Sequence, residues 1–414
     1  MGKQLYEIGE APPLGHVPER MYASVIRPDR YGEPAKAFAT EIIDVPEPGP
    51  GQVLVWVMAA GINYNNVWAA LGYPLDVVAA RRKRGEPENF HIGGSEGAGV
   101  VYAVGDDVAG VRVGDHVMLS GGQWDERGED IRMGADPTFS SSLRAWGYES
   151  NYGSFAQFAL VQDFQCHPKP KNLTWEAAAA FILTGATAYR QLFGWEGNTV
   201  KPGDPVLIWG GAGGLGSIAI QLVRNAGGIP IAVVSSEERA EYCRGLGAAG
   251  VIDRTRFDHW GRMPDLQDQA AYGAWMTGVR AFGRSFWEAL GERRAPKIVF
   301  EHSGQDTIPT SMYLCENGGM VVICGGTSGY AADVDLRFLW MRQKRLQGSH
   351  GFNPSQCRAV IQLVSSGLID PCLSDLVGFE QIGEAHQMMH ENRQPPGNMA
   401  ALVNAPRAGL TELA

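Results

Sequence analysis

Paired cysteines are missing from this chain. Its six cysteines (Cys166, Cys243, Cys315, Cys324, Cys357 and Cys372) are scattered, and none stands in a C-x-x-C pair. The sequence therefore predicts reduced thiols rather than a disulfide framework. His167 adjoins Cys166, but two neighbours in sequence do not make a metal-ligand spacing. Long apolar runs are missing as well: none reaches the roughly 18 residues of a membrane span. The opening MGKQLYEIGEAPPLGHVPER has no apolar core of a secretory signal. A cytoplasmic protein with no membrane contact is the expectation. Basic charge is scarce too, since 35 Lys and Arg stand against 45 Asp and Glu, for a net charge of −10. That balance speaks against a nucleic-acid partner. The one basic run, Arg81-Arg82-Lys83-Arg84, reads as a solvated loop, with contact to a phosphate of an anionic ligand as the second reading. No internal repeat at a solenoid period is present.

What is present is enough apolar residue for two cores: 414 residues, 44% of them hydrophobic. The Pro/Gly-rich opening, up to about Arg20, is expected to wrap the surface as an arm. From Met21 the text reads as short strands broken by turns. VLVWVMAAGIN (53–63) and GAGVVYAVGDDV (97–108) are the clearest, with turn signals at Gly105-Asp106 and Gly114-Asp115. This predicts an antiparallel, barrel-like first half. The pattern changes at Thr174, a candidate N-cap for the Ala-rich helical stretch TWEAAAAFILTGATAYRQLF. After KPGD, the run PVLIWG (205–210) has the continuous apolar character of a strand covered on both faces. Helix and strand signals then alternate to about His350, the mark of a doubly wound α/β domain. Residues 258–294 are long for a connection. Trp275, Val279, Phe282, Phe286 and Leu290 give their second part helical spacing, read as an inserted helix packed over the sheet edge. NMAALVNAP is a last strand returning to the first domain. The expected division is 1–190 with 351–414, arm included, and 191–350 as the dinucleotide-binding domain.

Gly211-Ala212-Gly213-Gly214-Leu215-Gly216 satisfies G-x-G-x-x-G. Alone that is weak, but a buried strand precedes it and an amphipathic helix follows. The glycines let the backbone approach a pyrophosphate, and the helix N-terminus supplies N–H donors. About 20 residues on, an NAD site usually places a carboxylate against the ribose 2′-hydroxyl. Here Ser235 and Ser236 stand in its place and Arg239 follows. Hydroxyls and a guanidinium suit a 2′-phosphate, so the expected cofactor is NADPH. Glu237 and Glu238 oppose this, and are taken to point to solvent.

A barrel-like half followed by a Rossmann half resembles the medium-chain dehydrogenase/reductase superfamily. Its zinc enzymes carry a catalytic Cys after an apolar strand and a Gly-His-Glu further on. The corresponding stretches here are Gly61-Ile62-Asn63-Tyr64 and Gly94-Ser95-Glu96, and the four-cysteine structural-zinc lobe is missing. Asn63 and Ser95 cannot replace a thiolate and an imidazole on zinc, so no metal is expected. Alcohol oxidation needs a Lewis acid or base at oxygen. Enoyl-thioester reduction does not, because the conjugated carbonyl already makes the β-carbon electrophilic.

Several stretches resemble the crotonyl-CoA carboxylase/reductase family within that superfamily. They are Asn63-Tyr64-Asn65 with Val67-Trp68, Ala145-Trp146-Gly147-Tyr148-Glu149, Ala188-Tyr189-Arg190-Gln191-Leu192, Val299-Phe300-Glu301-His302, Leu339-Trp340-Met341, and Lys344-Arg345-Leu346-Gln347-Gly348-Ser349-His350. In order, they span most of the chain. The resemblance implies a GroES-like β-rich catalytic domain beside the Rossmann doubly wound parallel-sheet domain. It also implies an NADPH-dependent reductive carboxylation of an α,β-unsaturated acyl-CoA thioester, with CO2 as electrophile, in a homotetramer. The family's CO2 pocket maps onto Asn65, Tyr148, Glu149 and His350. An amide and an imidazole can donate to CO2 oxygens, directly or through water. A carboxylate can fix a His tautomer and an ordered water, and an aromatic ring can exclude bulk water.

Each of the four also has an ordinary structural reading: Asn65 as a turn residue, His350 as a histidine at a strand end, Glu149 as a surface carboxylate, Tyr148 as core. The chain departs from the family where Gly351-Phe352-Asn353 follows His350, and in the stretches YPLDVVAARRKRGEPENF and GGQWDERGEDIRMG (121–134). Two other activities are weighed against carboxylation: a plain enoyl-CoA reductase that protonates the enolate, and a catalytically silent NADPH-binding redox sensor.

Overall fold

A computed structural model describes residues 3–413. The chain divides into two compact units. The first holds the chain up to Leu183, Asn353–Cys357 and the chain from Leu373; the second holds Thr184–Phe352 and Arg358–Cys372. The expected boundaries at 190 and 350 are thus corrected. Residues 184–190 and 358–372 pack with the dinucleotide-binding unit: the helix Ile182–Phe193 runs across the border at 190, and most of the helix Pro354–Ser365 belongs to that unit.

The first unit is built on one strand. Gln52–Ile62 is apolar and buried at every residue after the first. It pairs antiparallel with Gly97–Val104, with Phe158–Gln162 and with Asn398–Leu402, at the centre of a seven-stranded sheet. Continuous burial requires cover on both faces, hence the absence of polar alternation. A three-stranded sheet joins Arg20–Ile26 to Phe38–Asp44 and His91–Ile92. Trp56, from the central strand, packs edge-on against Phe158 with centroids 4.9 Å apart. The N-terminal arm lies against this unit. Tyr6 is buried, Tyr102 donates its hydroxyl proton to the Pro12 carbonyl at 2.9 Å, and Gln157 Nε2 donates to the Tyr6 carbonyl at 3.2 Å.

The second unit carries a six-stranded, all-parallel sheet. From edge to edge its strands are Gly250–Asp253, Ile229–Val234, Pro205–Ile208, Ile298–Glu301, Met320–Ile323 and Arg345–Gly348. In chain order within the unit this is 3-2-1-4-5-6. Strand order reverses between Pro205–Ile208 and Ile298–Glu301, where ligands of this architecture bind. The 258–294 stretch contains a 22-residue helix, Gln269–Leu290, capped by Asp268, whose carboxylate accepts from Ala271 N. Phe282 and Phe286 on its buried face join Leu207, Trp209, Ile231, Val233 and Ile252 in one core.

Two local readings need correction. The Ala-rich stretch is two helices, Trp175–Ala179 and Ile182–Phe193, broken at Ala180 (φ −131°, ψ 36°). Thr174 caps the first, accepting from Ala177 N at 3.3 Å. The basic run is solvated at Arg82, Lys83 and Arg84 but is no loop, for Arg81, Arg82 and Lys83 end the helix Val77–Lys83, capped by Asp76. Arg81 is fully buried, hydrogen-bonded to the Phe90 carbonyl and to Glu86 at 3.3 Å, so its charge is neutralised inside the unit. Among the described residues no helix is long and apolar enough to cross a membrane.

Candidate active site

In the second unit the strand Pro205–Ile208 runs into the glycine turn and then the helix Gly214–Asn225. Gly210 sits at φ +58°, and a Cβ on it would meet His302 Nε2 at 2.5 Å. A Cβ on Gly216 would stand 2.3 Å from the Gly210 carbonyl oxygen. Gly213 differs: its nearest neighbour would be 3.5 Å away, so nothing in the chain itself demands glycine there. The helix N-terminus opens at this cradle, with Ser217 N already turned back to the Gly213 carbonyl at 2.8 Å. These features fit a dinucleotide pyrophosphate.

The next strand ends at Val234, not at the two serines. Ser236 is the N-cap of the helix Glu237–Gly245, its hydroxyl accepting from Arg239 N at 3.3 Å. That contact uses an oxygen lone pair and leaves the hydroxyl proton to donate. Ser235 and Arg239 are half-buried. Glu237 and Glu238 are exposed, and Glu237 is held by Arg244 at 2.6 Å.

The first unit gathers the other residues that the sequence singles out. Asn65, half-buried, opens the short helix Asn65–Leu71. Its Nδ2 donates to Ser95 Oγ at 2.6 Å, and its Oδ1 accepts from Asn66 Nδ2 at 3.0 Å. Asn66 Oδ1 in turn accepts from Gly94 N at 3.1 Å. Beside this web, Asn63 Nδ2 donates to Glu96 Oε1 at 2.6 Å, and Leu183 N donates to Glu96 Oε2 at 2.9 Å. The positions that a zinc dehydrogenase gives to thiolate and imidazole are thus an amide and a hydroxyl, each already engaged. Among the described residues no group of three or more His, Cys, Asp and Glu could hold a metal. These donors do not fit a catalytic zinc.

Glu96 lies fully inside the unit. Burial pushes its carboxyl from the ordinary 4.5 up to about 7, against the hydrogen bonds from Asn63 and the backbone that favour the ionised form. Between pH 4.5 and 7 the folded chain therefore keeps a proton that the unfolded chain has lost. Stability falls as pH rises through that window. The loss is on the order of 3 kcal/mol, at about 1.4 kcal/mol per pH unit. Glu301, equally buried in the second unit, adds a loss in the same direction. Replacing Glu96 by glutamine removes one titration. Urea unfolding at pH 5 and pH 7 should show a smaller decline for Glu96→Gln than for the unaltered chain; parallel declines would contradict the assignment.

The turn that carries Tyr148 and Glu149 docks on the same segment. Gly147 sits at φ +67°, and a Cβ on it would be 2.1 Å from the Gly94 carbonyl oxygen. Trp146 anchors the turn, fully buried, with its Nε1 donating to the Leu160 carbonyl at 2.9 Å. Tyr148 is half-buried, its ring 6.5 Å from that of Trp68, which in turn meets Tyr64 edge-on at 5.4 Å. Glu149 is half-buried and accepts from Ala145 N at 2.8 Å. Arg84, from the basic run, donates to the Glu149 carbonyl at 2.7 Å. Asn65 and the Tyr148–Glu149 turn thus share the first unit and one backbone segment, 93–96. His350 belongs to the second unit, exposed just beyond the edge strand Arg345–Gly348.

Asn66 stands outside the motifs read in the sequence, and Ser95 and His302 stand within them without a role. Asn66 and Ser95 hydrogen-bond the Asn65 amide, and His302 backs the glycine turn with its Nε2 3.1 Å from the Trp209 carbonyl. The available signal was three side-chain amides within four residues, Asn63-Tyr64-Asn65-Asn66, more than one helix cap can use.

Residues 49–171 match the alcohol dehydrogenase GroES-like domain, and residues 214–366 match the zinc-binding dehydrogenase family. A crotonyl-CoA carboxylase/reductase of Cereibacter sphaeroides is 48% identical over 412 residues, covering 100% of this chain and 94% of that protein. A solved structure of crotonyl-CoA carboxylase/reductase AntE in complex with NADP shares 66% identity at a TM-score of 0.94, covering 98% of this chain and 100% of the other. The 2-octenoyl-CoA carboxylase reductase CinF, solved with NADP and 2-octenoyl-CoA, is 36% identical at a TM-score of 0.87, over 96% and 90% of the two chains.

Proposed function

This chain belongs to the crotonyl-CoA carboxylase/reductase family, and from that premise we propose that it catalyses NADPH-dependent reductive carboxylation of an α,β-unsaturated acyl-CoA. Crotonyl-CoA, CO2 and NADPH give ethylmalonyl-CoA and NADP+. The observation that carries the reading is that Asn63 and Ser95, at the positions where a zinc enzyme of the superfamily would hold its metal, are engaged by Glu96 and by the Asn65 amide. The cofactor, when bound, supplies a hydride to the β-carbon of the enoyl thioester. Gly211, Gly213, Gly214, Leu215 and Gly216 hold its pyrophosphate, and Ser235, Ser236 and Arg239 hold its 2′-phosphate. The α-carbon of the resulting enolate forms a bond to the carbon of CO2, and one C–O π pair moves onto oxygen as carboxylate. No proton is consumed.

Water competes for the same enolate, and its protonation would give butyryl-CoA instead. In this reading the Asn65 amide and the His350 imidazole each donate to CO2 oxygen. Glu149 orders a water, and the Tyr148 ring shields against bulk solvent. A homotetramer, implied by the family resemblance, and a cytoplasmic setting, supported by six free cysteines, belong to the same reading.

Mass analysis of the product from crotonyl-CoA, NADPH and labelled bicarbonate tests it. One label per NADPH oxidised is the expected result. Butyryl-CoA alone at saturating bicarbonate would leave a plain reductase, and no turnover would leave a cofactor-binding sensor. Asn65→Leu and His350→Asn should each shift the ethylmalonyl-to-butyryl ratio toward butyryl-CoA by roughly five- to tenfold, the worth of one hydrogen bond. Loss of all reduction at a fixed product ratio would assign both residues to hydride transfer or folding.

A further inference from the structure

We infer that Ser95 and Asn66 are positioning residues that set the direction of the Asn65 amide, so that the choice between carboxylation and protonation depends on the Ser95 hydroxyl. The inference rests on the reading of Asn65 given above and deepens it.

A side-chain amide has two nearly isosteric orientations that exchange its oxygen and nitrogen. Something must choose between them if one end is to face a ligand. Here the choice starts at the backbone. Gly94 N–H can only donate, and it donates to Asn66 Oδ1. That turns Asn66 Nδ2 toward Asn65, where it meets Oδ1. Asn65 Nδ2 is thereby directed to Ser95 Oγ, which accepts at 2.6 Å. Reversing the Asn65 amide would set its NH2 against the Asn66 NH2, two donors face to face. One of the two Nδ2 protons of Asn65 is spent on Ser95, and the other is left in a fixed direction.

The web is built into the interior. Asn66 is 0% exposed and Ser95 1% exposed, whereas Asn65 is half-buried at its outer end. The local backbone is shaped to admit it. A Cβ on Gly93 would fall 1.9 Å from Asn66 Oδ1, and one on Gly94, at φ +93°, would fall 2.3 Å from Ser154 Oγ. Gly93 is therefore required for Asn66 to lie against the 93–96 backbone, and Gly94 for the 154–155 segment to lie against it from another side. A turn-forming asparagine satisfying its own backbone would need none of this.

Ser95→Ala deletes the acceptor with the smallest change in volume. The ethylmalonyl-to-butyryl ratio should fall about fivefold, and Ser95→Thr, which keeps the hydroxyl, should return it toward the unaltered value. In an Asn65→Leu background Ser95→Ala should add nothing, because its effect passes through the amide already removed. Asn66→Asp reaches the same amide from the other side: it still accepts from Gly94 N, loses the donor to Asn65, and should move the ratio in the same direction even if the serine variants fail to fold. An unchanged ratio in Ser95→Ala, or a full further shift in the Asn65→Leu background, overturns the inference while labelled product from the unaltered chain keeps the carboxylase reading. Absence of labelled product from the unaltered chain overturns both.

Discussion

Replacing Gly216 by valine should raise the dissociation constant for NADPH about a hundredfold, the worth of two hydrogen bonds to the pyrophosphate at roughly 1–1.5 kcal/mol each. A Cβ at this position would lie 2.3 Å from the Gly210 carbonyl oxygen and 2.6 Å from Gly211 Cα. Both neighbours are backbone, which cannot swing aside like a side chain. The turn must therefore open, carrying the first turn of Gly214–Asn225 away from Pro205–Ile208 and re-aiming the N–H groups that face the pyrophosphate. The change is confined to one turn at the end of one strand, so far-ultraviolet circular dichroism should keep its helix and strand signature. Fluorescence titration with NADPH measures the loss. An affinity within twofold of the unaltered chain, with structure retained, would show that the cradle does not form the site.

Arg239→Ala should weaken NADPH relative to NADH by roughly ten- to hundredfold, the worth of one charge-assisted hydrogen bond. The strand Ile229–Val234 ends without a carboxylate to repel a 2′-phosphate. Ser236 caps the following helix, and the nearest acid, Glu237, is engaged by Arg244. Arg239 stands one turn into that helix, half-buried. Parallel titrations with the two cofactors decide the matter. Equal losses would mean that Arg239 serves only the helix, and the discrimination would have to be sought in Ser235 and Ser236.

Much of the fold was legible because its signals are local. The run PVLIWG, the six-residue glycine turn and the amphipathic stretch after it announce a strand, a cradle and a helix within 21 residues, Pro205–Asn225. The helix Gln269–Leu290 could be read from Trp275, Val279, Phe282 and Phe286 because spacing alone defines its buried face. The Ala-rich stretch misled for the same reason. Helix propensity runs straight through Ala180, and only packing breaks the chain there. The Arg81–Arg84 run misled because charge pattern says nothing about a carbonyl and a carboxylate waiting inside the fold.

By itself the sequence determined the two-domain plan, the dinucleotide turn, the absence of zinc-ligand residue types at positions 63 and 95, and the ordered motifs of the family. Tertiary structure alone decided which atoms those residues offer. The direction of the Asn65 amide depends on Ser95, thirty residues along the chain, and on the Gly94 N–H beyond Asn66. The protonation of Glu96 depends on how much water the closed sheets exclude. Short-range periodicity writes secondary structure into the sequence, whereas hydrogen-bond polarity and desolvation exist only once distant segments have come together.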